Sequence, residues 1–223
     1  LCGGNEARSG WWDGGEKGVF MDQDKKVDAD RFFEDALPFL NDPRYIKVKG
    51  LPLLMIHRPL YFPQEELLRF VGRIRSLARK AGLGGLHIVY AKSHKAEEEY
   101  CCEEYGADAF AEFPPLFIEK PQIFNKKIIN PRFKGRIISA PQMVSRYKRL
   151  ADPENLTYRT VFPMWDNTSR RAEMNAWVFV DATPELYGEW LDYAILKTVQ
   201  KNGPENNIVF INAWNEWAEG AHL

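Results

Sequence analysis

The run Asn212-Ala-Trp-Asn-Glu-Trp-Ala-Glu-Gly-Ala221 sets two carboxylates, Glu216 and Glu219, three residues apart. Paired carboxylates are the working groups of glycosidic-bond chemistry, one moving a proton at the leaving oxygen and the other acting at the opposite side of the sugar. Trp214 and Trp217 flank the pair and offer flat apolar faces on which a sugar ring can stack, and Asn215 adds hydrogen-bonding capacity. Residues three apart share a face if the segment turns helically. Mutual repulsion and burial are then expected to push the two carboxyl pKa values apart, leaving one acid and one base. The competing reading is a pair of solvated loop carboxylates near a helix start.

The pair must be positioned by the apolar run Ile208-Val-Phe-Ile211, which reads as a strand ending at the motif. Other polar clusters also follow strand-like runs. Asn5 and Glu6 follow Leu1-Cys2, and His57-Arg58 follows Pro52-Leu-Leu-Met-Ile56. Lys92-Ser-His94 follows Leu86-His-Ile-Val-Tyr90, and Glu112 follows Ala107-Asp-Ala-Phe-Ala111. Trp165-Asp-Asn167 follows Tyr158 to Phe162. As substrate contacts these are Asn5, Glu6, His57, Glu112, Trp165, Asp166, Asn167, Trp214, Asn215 and Trp217. Each has a plainer alternative: a structural histidine at His57, a partner for an arginine at Glu112, an Asx turn or helix cap at Asp166 and Asn167. Arg170-Arg171 could meet a phosphate or acidic sugar, or form a surface ion pair. His87, inside a strand, reads as packed, whereas His94 and His222 fall at the rim. Four scattered histidines make no metal triad, and no metal or cofactor is expected.

The elements between these clusters alternate. Phe32, Phe33, Ala36, Leu37 and Leu40 recur at helical spacing and predict a helix over Ala29 to Leu40. Pro63 opens a second helix to about Lys80, striped by Leu67, Phe70, Val71, Ile74 and Leu77. A short acidic helix is expected around Ala96 to Tyr105, and another helix from Pro141 to Leu150. Leu116 to Pro141 reads as a long loop, and Trp177 to Val180 as a short strand or extended loop. Thr183 as N-cap and Pro184 at the first helical position start a helix to about Lys201, with Gly203 at its end. Strands alternating with helices argue for a parallel α/β sheet. Neither GxGxxG nor GxxxxGK[ST] occurs, so a nucleotide-binding version lacks its signature. Polar clusters after the strands are the arrangement of a (β/α)8 barrel, whose chemistry sits at the strands' C-terminal ends.

Composition adds bounds. With 30 basic and 31 acidic residues the net charge is -1, so nothing points to nucleic acid as a partner. No apolar run approaches the roughly 18 residues of a transmembrane segment. Aromatics make up 13% of the chain, including seven Trp, which suits a carbohydrate site and equally a large core. Cys2, Cys101 and Cys102 have no zinc or disulfide spacing and read as free thiols, which points to a cytoplasmic location. A start at Leu1 and an end at Leu223 suggest a fragment.

Asn215-Glu-Trp-Ala-Glu-Gly220, preceded by Phe210-Ile-Asn-Ala-Trp214, resembles the WbsX-like proteins. These are bacterial polysaccharide-biosynthesis proteins with a domain similar to glycoside hydrolase family 99. Phe39-Leu-Asn-Asp-Pro-Arg-Tyr-Ile-Lys47 with Gly50-Leu-Pro-Leu, Glu112-Phe-Pro-Pro115 and Phe162-Pro-Met-Trp-Asp-Asn-Thr168 also resemble family segments, in the same order. The first loop departs from the pattern, placing Gly3 and Arg8 where relatives resemble Trp. The resemblance implies an incomplete (β/α)8 TIM-type barrel with about strands 3 to 8 present, residues 1–223 forming one partial domain.

It also implies roles. Glu216 would deprotonate the sugar's own 2-hydroxyl, which attacks the anomeric carbon, while Glu219 protonates the departing oxygen. The expected activity is that of a carbohydrate-active enzyme on glycosidic bonds of a bacterial surface polysaccharide, with an oligosaccharide or polysaccharide as partner. The alternatives are a glycosyltransferase of lipopolysaccharide or O-antigen biosynthesis and a non-catalytic carbohydrate-binding barrel.

Overall fold

The computed structural model of the chain describes residues 28–59, 62–93, 101–116, 118, 120–123, 128–171 and 176–223. Asn5, Glu6, His94 and the first half of the expected acidic helix, residues 96–100, lie outside the described residues; of its second half only Glu103–Tyr105 is helical, as a single 3-10 turn.

Helix α1 (Ala29–Leu40) starts where Asp28 accepts hydrogen bonds from the backbone N–H groups of Asp30 and Arg31 at 3.0 and 3.2 Å. Strands β1 (Lys47–Val48) and β2 (Leu51–His57) form an antiparallel hairpin. Helix α2 (Gln64–Lys80) carries acidic residues in its first turn and basic residues in its last, matching the helix dipole. Its buried stripe of Leu67, Phe70, Val71, Ile74 and Ala78 packs toward β2, β3 (His87–Lys92) and α1, where Phe32 and Phe70 meet at 5.7 Å. Strand β4 (Ala109–Glu112) follows.

The stretch expected to be a loop contains strand β5 (Arg136–Ser139). Ser139 then caps α3 (Ala140–Tyr147), accepting from Gln142 N–H at 3.4 Å. Strand β6 (Thr157–Val161), the single turn α4 (Thr168–Arg171) and strand β7 (Trp177–Val180) come next. Helix α5 (Pro184–Asn202) starts as expected, with Thr183 Oγ1 accepting from Leu186 N–H at 3.2 Å. Gly203 ends it at φ +72°, a value that favours glycine. Strand β8 (Val209–Ile211) leads to a terminal hairpin of β9 (Asn215–Glu216) and β10 (Ala221–His222), joined by a 3-10 turn, Trp217–Glu219.

The main sheet runs β1-β2-β3-β4-β6-β8, and all its pairings after the β1–β2 hairpin are parallel. Strands β5 and β7 leave it and pair parallel with each other. Each lies in the connection between a main-sheet strand and its following helix, so the two form a ledge beyond the strands' ends. The sheet is curled, with two distinct faces. Leu54, Ile56, Ile88, Tyr90 and Phe110 pack under α1 and α2. Leu53, Val89, Ala109, Ala111 and Tyr158 pack with one another on the opposite, concave face. This is an α/β half-barrel. His87 belongs to its packing: it is buried, and its Nε2 lies 2.9 Å from the Tyr158 hydroxyl. Burial holds its imidazole below the usual 6.5 and so neutral at pH 7. Among the described residues, no helix is long and apolar enough to cross a membrane.

Candidate functional site at the strand ends

Strand β8 delivers the Glu-bearing segment to the C-terminal end of the sheet. Asn212 anchors the exit: its N–H donates to Val161 O at 2.8 Å and its Nδ2 to Pro114 O at 2.6 Å. The peptide between Asn212 and Ala213 is cis, as is that between Pro114 and Pro115. Glu216 ends β9 and Glu219 ends the following 3-10 turn. A 3-10 turn has three residues per turn, so the spacing of the pair matches one turn of backbone.

The turn is docked on the loop after β6. Asp166 N–H donates to Glu219 O at 2.9 Å, and Ser169 Oγ donates to Ala218 O at 3.0 Å. Gly220 closes the contact at φ +58°. A Cβ there would stand 2.7 Å from Asp166 O and 2.9 Å from Asp166 N, closer than real contacts allow. Both the conformation and the approach therefore require glycine. Gly220→Ala is expected to lift the turn off Asp166, lowering turnover severalfold while costing about 1–3 kcal/mol of stability. Parallel rate measurements and urea titrations would read this; an alanine variant with unchanged rate would show that the docking does not position Glu219.

The sequence-predicted residues divide. Glu216, Trp214, Asn215 and Trp217 are exposed on the terminal hairpin, with Trp214 and Trp217 at 70% and 68%. The burial expected to act on both carboxylates is thus absent at Glu216, because a two-residue strand and one turn give it no enclosing neighbours. Its backbone pairs with Ala221 across the hairpin, but the Glu216 carboxylate has no hydrogen bond or ion pair to any described residue and is uncommitted. His222 stacks on one face of Trp217, centroids 4.2 Å apart at 25°, fixing the indole and leaving its other face for a ligand. Asp166 forms an Asx turn, accepting from Thr168 N–H at 3.0 Å, while its backbone braces Glu219. His57 shares strand parity with Leu53 and Met55, so it ends β2 on the concave side, its ring 4.9 Å from Phe113.

Glu112 goes elsewhere. It has the parity of Phe110, which faces the helices, and its carboxylate is consumed there. Tyr147 Oη donates to Oε2 at 2.5 Å, Thr160 N–H to Oε2 at 3.1 Å and Arg159 Nη1 to Oε1 at 2.7 Å. The arginine-partner alternative describes this geometry, at the edge of a cavity of about 220 Å3. Trp165 is 6% exposed and packs on Phe162, rings 6.0 Å apart. Asn167 is equally buried, its Oδ1 accepting from Trp177 N–H at 2.7 Å. Trp165 and Asn167 share instead a cleft of about 400 Å3 beneath the β5–β7 ledge, with Phe113, Lys134, Arg136 and Trp177. Sequence reasoning missed the last three, because the ledge depends on pairing between distant segments. The side chains of Arg170 and Arg171 lie outside the described residues. Among the described residues no group of His, Cys, Asp and Glu could hold a metal ion.

The family model for glycosyltransferase WbsX matches residues 1–223. The chain belongs to the WbsX glycosyltransferase family. A curated relative, the uncharacterized protein WxcX of Xanthomonas campestris pv. campestris, is 31% identical over 225 residues, covering 100% of this chain and 32% of its own length. The chain thus spans about a third of the length of the curated relatives it matches. Among solved structures, a glycoside hydrolase-like protein superposes with TM-score 0.57 at 16% identity, over 87% of this chain and 52% of that one. A glycoside hydrolase family 99 endo-alpha-mannosidase from Bacteroides thetaiotaomicron gives TM-score 0.51 at 17% identity, over 86% and 50%. At such identities the WbsX chain shares a fold with these structures.

Proposed function

We propose that this WbsX-family chain is the catalytic part of a carbohydrate-active enzyme acting on glycosidic bonds of a bacterial surface polysaccharide. Residues 1–223 form one partial barrel domain, with β2, β3, β4, β6 and β8 as successive strands of it. Glu216 takes the proton of the sugar's 2-hydroxyl; that oxygen attacks the anomeric carbon as the glycosidic bond breaks, and Glu219 gives its proton to the leaving oxygen. Water or an acceptor hydroxyl then opens the anhydro sugar at the anomeric carbon, returning the proton to the 2-oxygen and restoring both carboxyl groups. The net outcome is retention. Trp214 and Trp217 stack sugar rings, Asn215 and Asp166 bond hydroxyls, and His57 borders the concave mouth.

The observation that carries this reading is the docking of the Glu219 turn on Asp166 through Gly220, with an uncommitted Glu216 between two exposed tryptophans. Hydrolysis and transfer use the same groups and differ in the acceptor. Incubating the protein with bacterial-polysaccharide oligosaccharides and following the anomeric protons by NMR tests the reading. A retained anomer at the first product is expected; an inverted one rules out the proposed pair chemistry. Binding without turnover would instead favour the carbohydrate-binding barrel.

A further inference from the structure

The cleft under the ledge carries a chemistry that the Glu pair does not explain. Arg136 and Trp177 are direct partners across β5 and β7, so their side chains emerge on the same face. Asn167 is stitched to the same point: its N–H donates to Trp177 O at 3.3 Å, and its Oδ1 accepts from Trp177 N–H at 2.7 Å. Because a backbone N–H can only donate, this bond fixes the orientation of the amide, and Nδ2 is the free end. Asn167 is 6% exposed, lines the cleft, and its Nδ2 donates to no described residue. That atom is absent from the fully enclosed unpaired groups, whereas Trp165 Nε1 is among them. A buried asparagine therefore presents an unused N–H donor to the space.

Around it the described lining contains Lys134 and Arg136 and no carboxylate. Neither cation has a carboxylate partner among the described residues. A third cation, Lys120, sits 4.7 Å over the Trp177 ring. Burial, and then the Arg136 charge, pull its ammonium pKa down. Asn167, Lys134 and Arg136 share the lining with Trp177, Phe113 and Pro115, which supply apolar surface. The geometry points to a subsite for an anionic saccharide unit, a sugar ring bearing a carboxylate or phosphate, held by Asn167, Lys134 and Arg136. It borders the Glu219 turn through Asp166, so it rests on the proposed function and specifies its substrate class.

Calorimetric titration of the protein with three probes tests this: a glucuronic-acid-terminated disaccharide, its carboxyl-reduced neutral counterpart, and glucose 1-phosphate. A charged probe is expected to bind about tenfold more tightly than the neutral one at low salt, with the margin shrinking as salt screens the exposed cations. A tighter uronate assigns the anion to a uronic acid; a tighter phosphate assigns it to a sugar phosphate. The Lys134→Gln/Arg136→Gln double variant should bind charged and neutral probes alike. Asn167→Asp keeps the acceptor for Trp177 N–H but replaces the free donor with a repelling oxygen, and should weaken only the charged probes. Equal affinity for charged and neutral probes in the unaltered protein, no binding of either charged probe, or a preference surviving in the double variant overturns the subsite. Binding is read without turnover, so the outcome is separable from the Glu pair. A Glu216→Gln/Glu219→Gln protein that keeps both its rate and its anion preference would sink the catalytic reading alone.

Discussion

Glu219→Gln is expected to lower kcat by about 100- to 10,000-fold while oligosaccharide binding stays close to that of the unaltered protein. The substitution keeps size and hydrogen-bonding reach and removes only the transferable proton. Glu216→Gln should fall by a similar factor for a different reason, loss of the base on the 2-hydroxyl. Two substrates separate the roles. An aryl glycoside with an acidic phenol as leaving group needs little protonation, so it should restore much of the Glu219→Gln rate and none of the Glu216→Gln rate. A 2-deoxy substrate, lacking the attacking oxygen, should be inert with the unaltered protein. The backbone favours a strong effect at Glu219, whose carbonyl is pinned by Asp166 N–H at 2.9 Å and whose neighbour Gly220 admits no side chain. The Glu216 carboxylate has no competing partner among the described residues and is left to meet a substrate hydroxyl. If both glutamine variants turn over at the unaltered rate, the pair is not catalytic.

Helices α1 and α5 were legible because their signals are local. The stripe Phe32, Phe33, Ala36, Leu37 and Leu40 marks α1, and Thr183-Pro184 with Gly203 marks the two ends of α5. The parallel strands were legible for the same reason, as apolar runs bounded by polar residues. Strand β5 was not, because Arg136-Ile-Ile-Ser139 is short, flanked by Lys134 and Gly135, and held by register with Trp177 to Val180 far along the chain. The cleft that depends on that register was hidden with it. Adjacency in sequence put the terminal motif directly after the last main-sheet strand, where the structure has it, but misjudged direction elsewhere. Trp165 follows a strand end as a sugar platform would, yet the aromatic cluster of Phe162, Phe179 and Trp190 draws the hydrophobic contacts of that region inward. For Glu112 a usable signal was present: the period of two places it on the face of Phe110, whose bulk belongs under the helices.

That placement makes Glu112 a stability residue with a measurable signature. Glu112→Ala is expected to destabilise the protein by about 3 kcal/mol, the low end for stripping one partner from a buried ion pair. Arg159, whose side chain is 7% exposed, would lose its 2.7 Å contact. It would keep Asp152 at 2.9 Å, which argues for the low end. Tyr147 Oη and Thr160 N–H would lose their acceptor as well, and unpaired buried donors carry their own desolvation cost. For a chain of this size the loss corresponds to a midpoint drop of about 6–12 °C in thermal unfolding. Glu112→Gln should cost less, since its amide oxygen can still accept from Thr160 N–H or Tyr147, and only the charge on Arg159 goes uncompensated. In both variants KM for oligosaccharide at a temperature where the protein stays folded should match the unaltered protein, because the carboxylate points to the helix layer and not the concave mouth. A raised KM with unchanged stability would place Glu112 against the sugar instead, and would require the Tyr147–Glu112–Arg159 contacts to open when substrate binds.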